Sequence, residues 1–253
     1  VSNAWLLPRT SVGPVLVDTG FPLMWPLLRA GLALHGLVPS DLALVILTHR
    51  HVDHAGNARR LMERHRVPVH AHPLDADILA GRSPRPRLRR VRGLVGFLST
   101  VENRWPAHAP GVLPLEDGAT LAGLRVIHVG GHTVGSVFLF HQETGTLFTG
   151  DGLLNALPPY TTTTALALPY PAFSDDYDQA LKGLGALREM HLPVRRLCAG
   201  HGPAREGPIM EDLDRLLAKP FRAERAAPGP VGGLRRGQQD GVTIGLQYCM
   251  KHP

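Results

Sequence analysis

The sequence predicts a mixed α/β domain in which metal-binding side chains gather where strands end. Three observations lead there. Thr48-His49-Arg50-His51-Val52-Asp53-His54 packs three imidazoles and a carboxylate into six positions, and nitrogen and carboxylate donors are what a borderline divalent cation such as zinc selects. The residues before it, Leu42 to Leu47, form an apolar run of strand length, while Ala58, Leu61, Met62 and His65 after it recur on one helix face. Three later segments repeat one order: a strand, a glycine, then a histidine or aspartate.

Alternate side chains of an extended segment share a side, so His49 and His51 can close on one ion. Asp53 and His54, at the turn into the helix, can address a second. Four donors do not fill two sites, so further ligands are expected downstream. The strand-like run 125–129 leads into Gly130-Gly131-His132, 145–149 into Gly150-Asp151, and 195–198 into Ala199-Gly200-His201. Glycine beside each ligand lets the backbone turn and come close to an ion.

HxHxDH followed by GGHTVGS, TGD and AGHGP, in this order, resembles the metallo-β-lactamase superfamily of hydrolases over about residues 1 to 218. The resemblance implies a four-layer αββα sandwich, two mixed sheets flanked by helices. It also implies that His49, His51 and His132 hold a first metal, Asp53, His54 and His201 a second, and that Asp151 bridges them. The expected cofactors are two divalent ions, zinc first, with iron or manganese as alternatives. Any one of the 14 histidines alone is better read as a surface or core residue. The joint pattern is not, because packing never requires several imidazoles at one rim.

The ligands run from His49 to His201, so a division of the chain would cut the site; residues 1–220 are read as one domain and 221–253 as a tail. An apolar fraction of 43% supports a sizeable core. No apolar run reaches membrane-spanning length. Two cysteines, Cys198 and Cys249, argue against a disulfide framework and for a reducing compartment, so cytoplasm is expected. Because the chain begins at Val1, a trimmed leader remains open. The net charge of +6 raises nucleic acid or anionic substrates as partners. Much of that excess is local to Arg82–Arg92, and no set of base-stacking aromatics accompanies it, so a small-molecule substrate is expected, with a homodimer open.

Among the remaining elements, 4–7 and 15–18 read as a hairpin, and Asp18 as either a strand-end turn residue or a hydrogen-bond acceptor for a metal-bound imidazole. Residues 25–37 read as a helix over the first sheet, 67–71 as a strand and 74–79 as a short helix. His70 and His72 mimic a ligand pair, but seven donors already complete two shells. Residues 81–110 read as an irregular insertion rich in Arg, Pro and Gly. It is expected to act as a lid that helps to choose the substrate, with Leu94, Phe97 and Trp105 as an apolar wall; the alternative is a solvated charge run. Three strands between 124 and 149 form the second sheet. A helix over 174–190 starts at Ser174 as N-cap, a last helix covers 209–217, and 242–249 offers an edge strand.

The chemistry expected is hydrolysis of a carboxylic ester, lactone or thioester. Two ions roughly 3.5–4 Å apart share a water and bring its pKa toward neutrality, giving a bridging hydroxide as nucleophile. Asp53 is the catalytic candidate, both ligating the second ion and orienting the nucleophile. Glyoxalase II and persulfide dioxygenase branches usually carry an aromatic residue where this chain has Pro203, which speaks against glutathione recognition. Acyl-homoserine lactonases share all seven ligand positions but place a tyrosine where Leu153 and Leu154 stand; Tyr160 is the substitute candidate for touching substrate. Alternatives are a phosphodiesterase or nuclease of the same fold, a mononuclear-iron oxygenase, and a binding protein without catalysis. β-Lactam cleavage is not favoured, since enzymes of that kind are generally exported.

Overall fold

The computed structural model describes residues 2–88, 93–156, 164–218 and the pair 247–248. The first sheet contains β1 (Trp5–Leu7), β2 (Val15–Val17), β3 (Leu44–Ile46), β4 (Val69–Ala71) and β5 (Leu113–Pro114), side by side in that order. The second contains β6 (Thr120–Leu121), β7 (Leu124–His128), β8 (Val137–His141), β9 (Thr146–Gly150), β10 (Arg196–Ala199) and β11 (Arg205–Glu206), again side by side. A two-residue strand, β12 (Gln247–Tyr248), lies parallel to β1 at the edge of the first sheet. Each sheet mixes parallel and antiparallel pairs.

Period-two alternation divides the apolar side chains into layers. Trp5, Leu7, Val15, Val17, Leu44 and Ile46 meet Leu124, Val126, Val137, Leu139 and Phe148 between the sheets. Their strand neighbours Leu6, Leu16 and Val45 face the other way, onto helices α1 (Trp25–Ala33), α3 (Ala58–His65) and α4 (Pro73–Leu79), through Leu28, Leu32, Leu61 and Leu79. On the far side of the second sheet, Ile127, Phe138, Phe140 and Leu197 pack on Leu184 and Leu187 of α6 (Tyr177–Glu189) and Ile209 and Leu213 of α7 (Ile209–Leu217). The result is helix, sheet, sheet, helix, as expected. Truncating a central residue such as Phe148 costs about 3–5 kcal/mol.

Strand direction sets where the loops open. β2, β3 and β4 run parallel, so the residues after them, from Asp18, Thr48 and His72, share one edge. In the second sheet β7 is antiparallel to β8, β8 to β9, and β9 is parallel to β10. Strands β7, β9 and β10 therefore point the same way, and the loops at Gly130, Asp151 and Gly200 share an edge too. The Val137 N–H, donating to Thr48 O at 2.9 Å, ties the two edges together.

Several boundaries differ from expectation. The first helix ends at Ala33, short of Leu37. α6 starts at Tyr177 with Asp176 as its N-cap, its carboxylate accepting the Gln179 N–H at 2.9 Å; Ser174 instead donates to Tyr170 O. The insertion is less irregular than its composition suggests, since 93–104 form helix α5 (Gly93–Arg104). Of the 242–249 edge strand only Gln247–Tyr248 is described, and the rest of the 221–253 tail lies outside the described residues. None of the described helices is long and apolar enough to cross a membrane.

Candidate metal centre

All seven predicted side chains meet at the shared rim. His49 and His51 follow β3, Asp53 and His54 sit on the single-turn helix α2 (Val52–Ala55), and His132, Asp151 and His201 follow β7, β9 and β10. Three groups of donor atoms each lie within 4.8 Å of one another: His49, His51 and His132; His49, His54 and Asp151; and Asp53, His54 and His201. Asp151 stands between the sets, with Oδ1 at 3.2 Å from His54 Nε2 and Oδ2 at 3.2 Å from His201 Nε2 and 3.9 Å from His132 Nε2.

The donor set fits metal ions. His49, His51, His54 and His132 bury Nε2 atoms, and Asp151 buries Oδ1, with no hydrogen bond of acceptable geometry. Burying so many polar atoms unsatisfied costs several kcal/mol; a cation in their midst removes that cost. Close backbone approach is built in. A side chain at Gly200 would run into Asp151 Oδ1 at 2.2 Å, and Gly131, at φ +88, leaves no room for one against the backbone of Ala180.

The two halves carry different charge. Burial, then neighbouring imidazoles, holds His49 and His51 well below the usual histidine range, and burial brings His132 down to about 4. These three are neutral donors. For His54 and His201 burial acts in the same direction, but carboxylates outweigh it. Asp53, Asp151 and Asp18 raise His54 well above its ordinary value, and Asp151 with Asp53 raises His201 to about 9. Burial alone would raise Asp53 and Asp151, yet the adjoining histidines lower both.

Two carboxylate networks hold the centre, and the first touches both halves, since the Thr48 hydroxyl that donates to Asp18 lies 3.0 Å from His49 Nδ1. Asp18 accepts from the Thr48 N–H at 2.7 Å and the Thr48 hydroxyl at 2.8 Å, and its Oδ2 lies 2.8 Å from His54 Nδ1. That contact leaves Nε2 of His54 facing the cluster, the usual arrangement behind a metal-binding imidazole. Asp18 adopts φ 62, an uncommon left-handed conformation for a non-glycine residue. Of its two readings, the hydrogen-bond acceptor holds.

On the other side Arg50 is buried and forms a two-pronged pair with Asp175, both contacts at 2.9 Å, with Asp75 at 3.6 Å. Both carboxylates also grip the His132 loop. Asp75 accepts from the Arg50 and Gly135 amides and the Thr133 hydroxyl, and Asp175 from the Val134 amide. The loops bearing His49, His51 and His132 are thereby joined through one charged knot. Sequence reasoning missed Arg50, Asp75 and Asp175; the available signal was a lone arginine between two ligand histidines directly after a buried strand.

Phe97 is 64% exposed on α5, as is Trp105 just beyond it, while the side chain of Leu94 and all of Tyr160 lie outside the described residues. His70 and His72 join none of the donor groups; His72 stacks on His128 with ring centroids 3.9 Å apart.

Residues 1–201 match the family model described as the metallo-beta-lactamase superfamily. The chain is 30% identical over 190 residues to "Probable metallo-hydrolase YybB" of Bacillus subtilis, covering 74% of each protein. It is 27% identical over 216 residues to "Probable metallo-hydrolase YflN" of the same organism, covering 78% of each. Among solved structures it is similar to TTHA1623 in a di-iron-bound form, with 27% identity, a TM-score of 0.58, and coverage of 85% of this chain and 93% of that one. By its sequence, its layered fold and the seven donors at its rim, the chain belongs to the metallo-beta-lactamase superfamily.

Proposed function

We propose that this protein is a dinuclear metal-dependent hydrolase acting on a carboxylic ester, lactone or thioester. The observation that carries this reading is Asp151, whose two oxygens stand against both donor sets, against His132 of His49/His51/His132 and against His54 and His201 of Asp53/His54/His201. A lone metal needs no such carboxylate between sets. Zinc is the first choice for the ions, and iron is kept open because TTHA1623 has been solved with two irons.

Such ions supply Lewis acidity, polarising the substrate oxygen and making water a competent nucleophile near pH 7. The chain's own residues do the rest. Asp53, with its side chain 33% exposed, is the donor-set carboxylate most open to solvent, and it accepts a hydrogen bond from the attacking water, aligning that water with the acyl carbon. The water oxygen bonds to the acyl carbon as its proton passes to Asp53, the C–O or C–S bond then breaks, and the departing alkoxide or thiolate takes up that proton, leaving the carboxylic acid. No separate serine or cysteine nucleophile is required; Cys198 is fully buried in the core between the sheets.

The basic balance of the chain favours a second reading, a phosphodiesterase of the same fold. Full-length protein loaded with zinc and given esters, lactones, thioesters and bis(p-nitrophenyl) phosphate separates the two. The first reading predicts higher kcat/KM on an acyl substrate. Faster cleavage of the phosphodiester would replace it with the second.

A further inference from the structure

Among the described residues of the insertion between the first ligand motif and His132, Glu102 reaches the metal rim through its side chain. Glu102, near the end of α5, is 5% exposed. Its Oε2 accepts the Val52 N–H at 2.8 Å, and its Oε1 accepts from Arg85 Nη2 at 2.7 Å. Arg85 also donates to Glu102 O at 2.8 Å, and Asn103 holds the Leu88 amide and carbonyl at 3.0 and 3.2 Å. Both anchors join α5 to the segment 85–88, so the insertion closes on itself before it touches the rim.

Val52 is the first residue of α2, which carries Asp53 and His54. A helix of four residues has almost no stability of its own, and its first N–H groups lack partners inside the helix. The residue at the capping position, His51, makes no capping bond with its side chain. The carboxylate that caps α2 comes instead from 50 positions away. At the other end, His54 O accepts from the Thr19 amide and hydroxyl, both at 2.7 Å. The turn bearing two donors is thus clamped at its start by the insertion and at its end by the loop after β2. Burial, countered by Arg85 and the Val52 amide, pushes the Glu102 carboxyl up to about 7.

We propose that Glu102 is a positioning residue for the Asp53/His54/His201 half of the centre, and that the insertion is a structural part of that half. The proposal rests on the two-metal reading above. Glu102 touches neither substrate nor metal; it acts through the Val52 amide.

The test uses full-length Glu102→Ala and Glu102→Gln. Hydrogen exchange on metal-free protein reports the clamp, and zinc binding in competition with a chromophoric chelator reports the two ions. Glu102→Ala should speed exchange over Val52–Ala55 with β3 unchanged, and should weaken one of the two binding steps roughly 10–100-fold while leaving the other within about twofold. Glu102→Gln keeps an acceptor oxygen and should recover most of both effects. Unchanged exchange at Val52–Ala55 in the alanine variant would overturn the proposal, as would equal weakening of both steps. Wild-type protein that binds a single ion would overturn the two-metal reading instead, and the exchange result would still decide whether Glu102 clamps α2.

Discussion

The two halves of the centre are built from the same short motif but held by different parts of the molecule. His49, His51 and His132 form an all-imidazole set buried behind the Arg50–Asp75–Asp175 knot, which welds the β3 loop to the β7 loop. Asp53, His54 and His201 form a mixed set that is partly open to solvent, held by Asp18 from the β2 loop and by the α2 clamp. One half is a buried pocket of imidazoles. The other is a charged one, open on the side where a reaction needs access. The contrast teaches that six consecutive residues can feed two donor sets because the chain changes support in the middle, between His51 and Asp53.

Removing what the halves share should give the largest effect. Asp151→Ala is expected to lower kcat by about 10³-fold or more and to reduce the content of both ions, read by elemental analysis beside activity. Near-wild-type turnover would remove Asp151 from its place between the halves.

Breaking the knot tests the first half. Arg50→Met leaves Asp75 and Asp175 buried without their cation, and loss of one partner from a buried pair costs about 3–5 kcal/mol. Denaturant unfolding should show that loss. Should stability change by less than about 1 kcal/mol, the pair would be an ornament of the surface type.

The corresponding change in the second half is milder. Asp18→Asn keeps the shape but removes the charge behind His54, and disturbing such a partner typically weakens metal binding about 10–100-fold. Chelator competition should place most of the loss in the binding step that His54 serves; equal loss in both steps would erase the distinction between halves.

The smallest effect concerns a histidine beside the centre that belongs to neither half. Burial, then His128, brings His72 down to about 4, below the 6.5 of an exposed histidine. Between those values the unfolded chain binds the proton that folded His72 refuses, so this contribution is present above pH 6.5 and is lost as pH falls toward 4. A His72→Phe variant should lose less stability than wild type over that interval, by on the order of 1–2 kcal/mol. Parallel pH curves for the two proteins would show that His72 is not the cause.

Much of this centre was legible in the sequence because each ligand is announced locally. A buried strand ends, a glycine turns the chain, and a histidine or aspartate follows, as at Gly131-His132 and Gly200-His201. The four layers were legible as a resemblance, and the period-two split of Trp5/Leu7 from Leu6 shows the physical basis for it. The supports were not legible. Asp75 in the first turn of α4, Asp175 before α6 and Glu102 at the end of α5 look like ordinary surface acids, and nothing local says that the chain will carry them 25, 125 and 50 positions back to the β3 loop. Asp175 shows the effect most plainly, since it reads as a helix-start residue beside Ser174, whereas tertiary structure spends it on Arg50 and leaves capping to Asp176.

The most direct test of a shared two-ion centre is a metal titration of stripped, full-length protein, with hydrolysis of its best acyl substrate followed at each step. Turnover should be absent without metal and reach its full value only as the second equivalent per chain binds. Full activity at one equivalent, or activity that survives exhaustive chelation, would contradict the account.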